Sequence, residues 1–124
     1  MTYIHIITIF PEFFNEFITT SIVGIAREKK LVTINIINLR DFADDNHKSV
    51  DSPPYGGGPG MILKAIPLIK AVNSVRSYHS ESKDKIKVVL TSPKGKVLNQ
   101  KKSRELSNEK ILVIVCGHYG GVDQ

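Results

Sequence analysis

Three features of the sequence predict an α/β fold, a mostly parallel sheet with helices on both faces. Four short apolar runs, at 3–9, 31–39, 86–90 and 111–115, are rich in the residues of buried strands. Segments with helical spacing of apolar residues alternate with them, and that alternation is the pattern of parallel pairing through crossover helices. Small glycine-containing loops directly follow the third and fourth runs, where an open parallel sheet places its ligand crevice.

The chain opens with Tyr3-Ile4-His5-Ile6-Ile7-Thr8-Ile9, an almost continuous β-forming run. Phe10, Phe13, Phe14 and Phe17 recur at helical spacing, Pro11 suits a first helical turn, and the resulting aromatic stripe is expected to pack in the core. A second short helix is expected from Ile22 to Lys29, with Ser21 as its cap and Lys29-Lys30 at the favourable end of its dipole. The 31–39 run is the second strand. After Met61-Ile62-Leu63, helical periodicity resumes through Ala65, Leu68, Ile69, Val72 and Val75, with Pro67 tolerated in the first turn, and fades into a polar loop at 77–82. The third strand is Ile86-Lys87-Val88-Val89-Leu90. Asn99 is placed to cap a short helix reaching Leu106, and Ile111-Leu112-Val113-Ile114-Val115 is the last strand.

A length of 124 residues suits one domain with a real core. No apolar run is long enough to span a membrane, and Met1-Thr2-Tyr3 lacks the basic start of a secretory signal, so a cytoplasmic location is expected. One cysteine, Cys116, rules out an internal disulfide framework, and with four scattered histidines it makes no metal-ligand pattern. The formal charge of +5 is uneven: residues 1–60 hold five Lys/Arg against seven Asp/Glu, and 61–124 hold twelve against five. Within 83–104, Lys83, Lys85, Lys87, Lys94, Lys96, Lys101, Lys102 and Arg104 face only Asp84. Such a segment is either a solvated surface or a field that attracts a polyanion such as RNA through its phosphates, and charge alone leaves both readings open.

Between the second strand and the third helix lies Pro54-Tyr55-Gly56-Gly57-Gly58-Pro59-Gly60. Three successive glycines cost conformational entropy on folding, which is tolerated where side chains would obstruct a turn or a close approach. Pro59 fixes its own φ and disfavours the helical region for Gly58. The loop lacks the lysine and hydroxyl of a P-loop and the spacing of a dinucleotide fingerprint, so neither nucleotide motif is present. By itself it is read equally as a structural turn or as a surface shaped for a ligand. Arg40, Asp41, His47 and Asp51 lead into it and are candidate site residues by chain proximity. Thr91-Ser92-Pro93-Lys94-Gly95 and Gly117-His118-Tyr119-Gly120-Gly121, each after a strand, offer backbone groups suited to an adenosine or methionyl moiety, and each taken singly is also an ordinary turn.

Together these motifs carry a resemblance. Ile9-Phe10-Pro11-Glu12, Arg40-Asp41-Phe42, His47, Val50-Asp51, the Pro54–Met61 segment, Ser92-Pro93-Lys94-Gly95 and Cys116-Gly117-His118-Tyr119, in this order and spacing, resemble the amino-terminal part of the bacterial tRNA (guanine-N1)-methyltransferases. The resemblance covers essentially the whole chain. It implies a SPOUT-type α/β-knot enzyme that transfers a methyl group from S-adenosylmethionine to N1 of guanine-37, beside the tRNA anticodon, as a homodimer. By position it implies that Leu90, Thr91, Ser92, Pro93 and Gly95 form one wall of the cofactor site and Gly117, Tyr119 and Gly121 another. Arg40, Asp51, Tyr55, Gly56, Gly57, Gly58, Pro59 and Gly60 would shape or receive the guanine.

The sequence departs from the family pattern at Gly120, where an acidic residue is usual, and at Ser52-Pro53, where an acidic-then-basic pair is usual. Residues 1–124 would make up the amino-terminal portion of the cofactor-binding domain. The rest of the knot, the catalytic aspartate and a helical carboxyl-terminal domain would follow Gln124. No residue of 1–124 is therefore assigned as catalytic base, and turnover by this portion alone is not expected. The alternative from another class is a non-catalytic α/β RNA-binding module that uses the basic 83–104 segment without a methyl-donor pocket.

Overall fold

The computed structural model describes residues 2–43, 51–52, 62–63, 65–91 and 100–116. Their element order is β1 (Thr2–Thr8), α1 (Pro11–Phe17), α2 (Ser21–Glu28), β2 (Val32–Asn38), a 3-10 turn (Leu39–Phe42), β3 (Asp51–Ser52), β4 (Ile62–Leu63), α3 (Ala65–Tyr78), a 3-10 segment (Ser80–Lys85), β5 (Ile86–Leu90), α4 (Gln100–Ser107) and β6 (Ile111–Val115). All four expected strands form, and they pair in parallel in the order β2-β1-β6-β5.

Because the β1-to-β2 and β2-to-β5 connections run in opposite directions across the sheet, right-handed crossovers place α1 and α2 on one face and α3 on the other. Both faces bury apolar side chains. Ile7 of β1, Val113 and Val115 of β6, Leu39, and Ala71 and Val75 of α3 form one cluster on the α3 face. Ile6 and Leu112, which alternate with them along β1 and β6, are buried on the opposite face. Full burial of side chains such as Ile7, Leu39, Val113 and Val115 contributes about 1.5–3 kcal/mol each.

Pro11 opens α1, where its missing N–H costs no helical hydrogen bond, and Thr8 Oγ1 accepts the Phe10 N–H at 3.0 Å just before it. The aromatic stripe, however, is not core. Phe10, Phe13 and Phe17 are 59%, 75% and 52% exposed, and α1 buries no residue. The rings of Phe13, Phe14 and Phe17 instead meet edge to face at 5.2 and 6.5 Å. Helical spacing puts residues on one stripe, but the direction the stripe faces depends on how the helix docks.

The α2 cap also differs from expectation. Thr20 is the capping position and makes no side-chain cap bond, while Ser21 is already helical. The α1–α2 corner is held from elsewhere: Arg27 Nη1 donates to the Ile18 carbonyl at 3.0 Å, and a Cβ on Gly24 would meet the Thr19 carbonyl oxygen at 2.7 Å, so glycine permits the close approach. Lys30, just past α2, has φ of 59°, a left-handed conformation that usually favours glycine. Pro67, buried, sits in the first turn of α3, and the helix runs on to Tyr78 before a 3-10 segment replaces the expected polar loop. Asn99 lies outside the described residues.

Candidate functional site

The carboxyl-terminal edge of the sheet positions the expected site. In register, Leu90 of β5 lies opposite Val115 of β6, which lies opposite Ile7 of β1. The Thr91 N–H and Oγ1 both donate to the Val115 carbonyl, at 2.9 and 3.0 Å, and the Cys116 N–H donates to the Ile7 carbonyl at 2.9 Å. Three strand ends are thereby tied together, and the chain leaves two adjacent strands at one level toward 92–95 and 117–121. Leu90 is 46% exposed there and presents an apolar surface at the edge.

These features fit an adenosine or methionyl group, which needs apolar contact and backbone partners rather than fixed charge. Burial raises the pKa of the half-buried Cys116 thiol, so the thiol stays protonated near neutrality and is not an activated nucleophile. Of the expected cofactor residues, Leu90 and Thr91 are placed at this edge. Ser92, Pro93, Gly95, Gly117, Tyr119 and Gly121 lie outside the described residues.

Of the expected guanine-binding residues, Arg40 is placed at the other end of the same edge. Arg40 sits in the 3-10 turn directly after β2, where Asn38 Oδ1 accepts its backbone N–H at 3.0 Å and its carbonyl accepts the Ala43 N–H at 3.2 Å. β2 and β5 are three strand spacings apart, roughly 14 Å. Arg40 and Leu90 therefore share an edge without meeting. A ligand or loop would have to bridge them.

Asp51 pairs with Leu63 and Ser52 with Ile62 in a two-residue antiparallel ladder. This ladder, not anticipated from the sequence, joins the two ends of 53–61 and so fixes the base of the glycine loop. Tyr55, Gly56, Gly57, Gly58, Pro59 and Gly60 lie outside the described residues, as does His47.

Sequence reasoning missed a second polar cluster at the amino-terminal side of the sheet. His5 is only 4% exposed, in the middle of β1. Its Nε2 lies 2.8 Å from Nε2 of His79, and its Nδ1 lies 3.3 Å from Asn35 Nδ2. With the Asn35 amide donating to Nδ1, His5 carries its proton on Nε2 and donates it to Nε2 of His79, so both ring nitrogens of His5 are satisfied in its neutral form. Burial, and then the charge of His79, lowers the His5 pKa to about 4. A histidine interrupting an isoleucine run was the available signal. Its partner, 74 residues away, was not readable from the sequence.

Among the described residues, no group of three or more His, Cys, Asp or Glu could hold a metal ion, and no helix is long and apolar enough to cross a membrane. Lys83, Lys85, Lys87, Lys101 and Arg104 of the basic segment are exposed.

Comparison with known proteins bears on the family and the fold. The family model described as tRNA (Guanine-1)-methyltransferase TrmD matches residues 2–124. A tRNA (guanine-N(1)-)-methyltransferase of Dictyoglomus turgidum is 47% identical over all of this chain and 48% of its own length. One of Carboxydothermus hydrogenoformans is 45% identical over 98% of this chain and 46% of its own length. The crystal structure of tRNA (m1G37) methyltransferase from Aquifex aeolicus superposes with a TM-score of 0.86 at 38% identity, covering 98% of this chain and 53% of that one. The chain thus spans about half the length of the curated relatives it matches.

Proposed function

The chain belongs to the tRNA (guanine-1)-methyltransferase family, and from that premise we propose that it forms the amino-terminal part of the cofactor-binding domain of a tRNA methyltransferase acting on N1 of guanine-37. The observation that carries this reading is the end-to-end match of 2–124 to the family model, with the strand ends that precede both donor loops tied at one edge. The methyl donor is S-adenosylmethionine, which supplies the transferred group as a sulfonium methyl. Leu90, Thr91, Ser92, Pro93 and Gly95, with Gly117, Tyr119 and Gly121, hold it.

Arg40, Asp51, Tyr55 and the 56–60 glycine loop hold the guanine, the ladder at Asp51–Ser52 fixing where that loop starts and ends. The work of these residues is positioning, because bringing the methyl carbon and N1 into line converts an improbable encounter into an intramolecular one. Loss of the N1 proton is left to the half of the enzyme that follows Gln124. The full protein works in the cytoplasm as a homodimer, with a trefoil knot completing the donor site and the 83–104 lysines attracting tRNA through its phosphates.

The test compares 1–124 with the complete protein for donor binding, salt-dependent tRNA binding and methylation at guanine-37. The expected result is site-specific turnover by the complete protein and none by 1–124. Tight tRNA binding by the complete protein with no affinity for the donor would overturn this reading and favour an RNA-binding module. Robust turnover by 1–124 would require a catalytic base within it.

A further inference from the structure

On the α3 face, toward the amino-terminal ends of β1 and β2, a cavity of about 460 Å³ opens between the sheet and the last turns of α3. Its walls include Tyr3 and His5 of β1, Asn35 of β2, Phe42, and Ser74 and Tyr78 of α3. This is not the proposed donor edge. On β1 the lining residues Tyr3 and His5 lie four and two residues short of Ile7, the level of Leu90 and Val115, and on β2 the lining reaches Ile37, level with Ile7 but three strand spacings, roughly 14 Å, from β5.

The volume is that of a small-molecule site. Among the described residues no Lys, Arg, Asp or Glu lines it, which suits the entry of an uncharged part of a ligand. Tyr78, 71% exposed, stands at the mouth with its ring edge-on to His5 and His79, at 6.1 and 4.8 Å, and offers an open aromatic surface. Asn35 uses one amide N–H on His5, and its carbonyl oxygen has no partner among the described residues. The Ser74 hydroxyl donates to the Ala71 carbonyl at 2.6 Å, leaving its oxygen lone pairs as acceptors. An aromatic wall beside a carboxamide is the combination that receives an unstacked base, by stacking and by in-plane hydrogen bonds.

Cations flank the mouth residues along the chain, with the exposed carboxylates Glu81 and Asp84 among them. Arg76 is exposed in the last turn of α3, and Lys83 and Lys85 are exposed in the segment that follows His79. Ile86, next after Lys85, is level with Tyr3 two strands away, roughly 10 Å across the sheet. We propose that this pocket binds a nucleobase, its ring against Tyr78 and its hydrogen-bonding edge on Asn35, with the attached phosphate on Arg76, Lys83 and Lys85. The choice of a base over other neutral heteroaromatics rests on the RNA substrate proposed above.

The experiment titrates the isotopically labelled protein with guanosine, guanosine monophosphate, adenosine monophosphate and a short single-stranded RNA, reading the Asn35 side-chain amide and the His5 and His79 ring signals. These signals are expected to move saturably. Asn35→Leu and the cavity-filling Ser74→Phe are each expected to weaken binding by about tenfold, the low end of what a lost bidentate base contact costs. Lys83→Glu with Lys85→Glu should weaken the monophosphates and RNA but leave guanosine unchanged. Saturable shifts with RNA alone identify an RNA base as the occupant, and shifts with the free nucleotides identify a mononucleotide; either supports the pocket.

No response at these groups to any probe, or responses that survive both Asn35→Leu and Ser74→Phe, would overturn it. Methyl transfer to tRNA is scored separately. Its absence alongside intact nucleobase binding counts against the proposed function and leaves the pocket standing, and normal methyl transfer with a silent pocket does the reverse.

Discussion

Replacing His5 with leucine should remove most of a specific acid sensitivity of the fold. In the folded protein His5 titrates at about 4, against 6.5 for an unperturbed imidazole, because it is buried and faces His79. The folded state therefore favours the neutral ring, and between pH 6.5 and 4 the unfolded state binds a proton that the folded state does not. Stability from this site is present above pH 6.5 and is lost as pH falls toward 4, with nothing further lost below that.

At 1.36 kcal/mol per pH unit, the gap between 6.5 and about 4 sets a ceiling of about 3 kcal/mol. Integrating the linkage from pH 7 to pH 5 gives about 2 kcal/mol. Urea unfolding of wild type and His5→Leu at pH 7, 6 and 5, followed by far-ultraviolet circular dichroism, measures it; the carboxylates and the histidines other than His79 are common to both proteins and cancel in the difference, and His79→Gln in both backgrounds removes the one group coupled to His5. The wild type should lose about 2 kcal/mol more than the variant over that range. Equal losses by the two proteins would refute the burial argument.

Three further outcomes are expected. Gly24→Ala, despite the better helix propensity of alanine, should destabilise by about 1–3 kcal/mol in chemical denaturation, since its Cβ would lie 2.7 Å from the Thr19 carbonyl oxygen and force the α1–α2 corner apart. Ile7→Ala, at a fully buried position in the centre of the sheet, should cost about 2–5 kcal/mol, visible as a lower denaturation midpoint at unchanged slope. Gly58→Val in the complete protein should lower methyl transfer while circular dichroism and melting remain near wild type, because a β-branched side chain restricts the backbone before Pro59 and blocks close approach. Wild-type turnover in that variant would make the loop a plain spacer.

The amino-acid order by itself determined the four strands and most of the helical segments. Runs such as 111–115 are too short for a helix that must bury itself and are apolar on both sides of a pleat, so a central strand is their natural use. Alternation with helices then implied parallel pairing, and the placement of small loops after Leu90 and Val115 located the candidate donor edge, because these are consequences of local geometry and chirality.

Only the tertiary structure decided where those faces and edges point. The same spacing that puts Phe10, Phe13 and Phe17 on one stripe is compatible with a buried or an exposed stripe, and docking left them exposed. Strand order set the roughly 14 Å between the strands that carry Arg40 and Leu90. The ladder from Asp51–Ser52 to Ile62–Leu63 required two segments too short to declare themselves as strands. His5 and His79 met for the same reason: contacts between residues 74 apart depend on how sheet and helix pack, which no periodicity along the chain encodes.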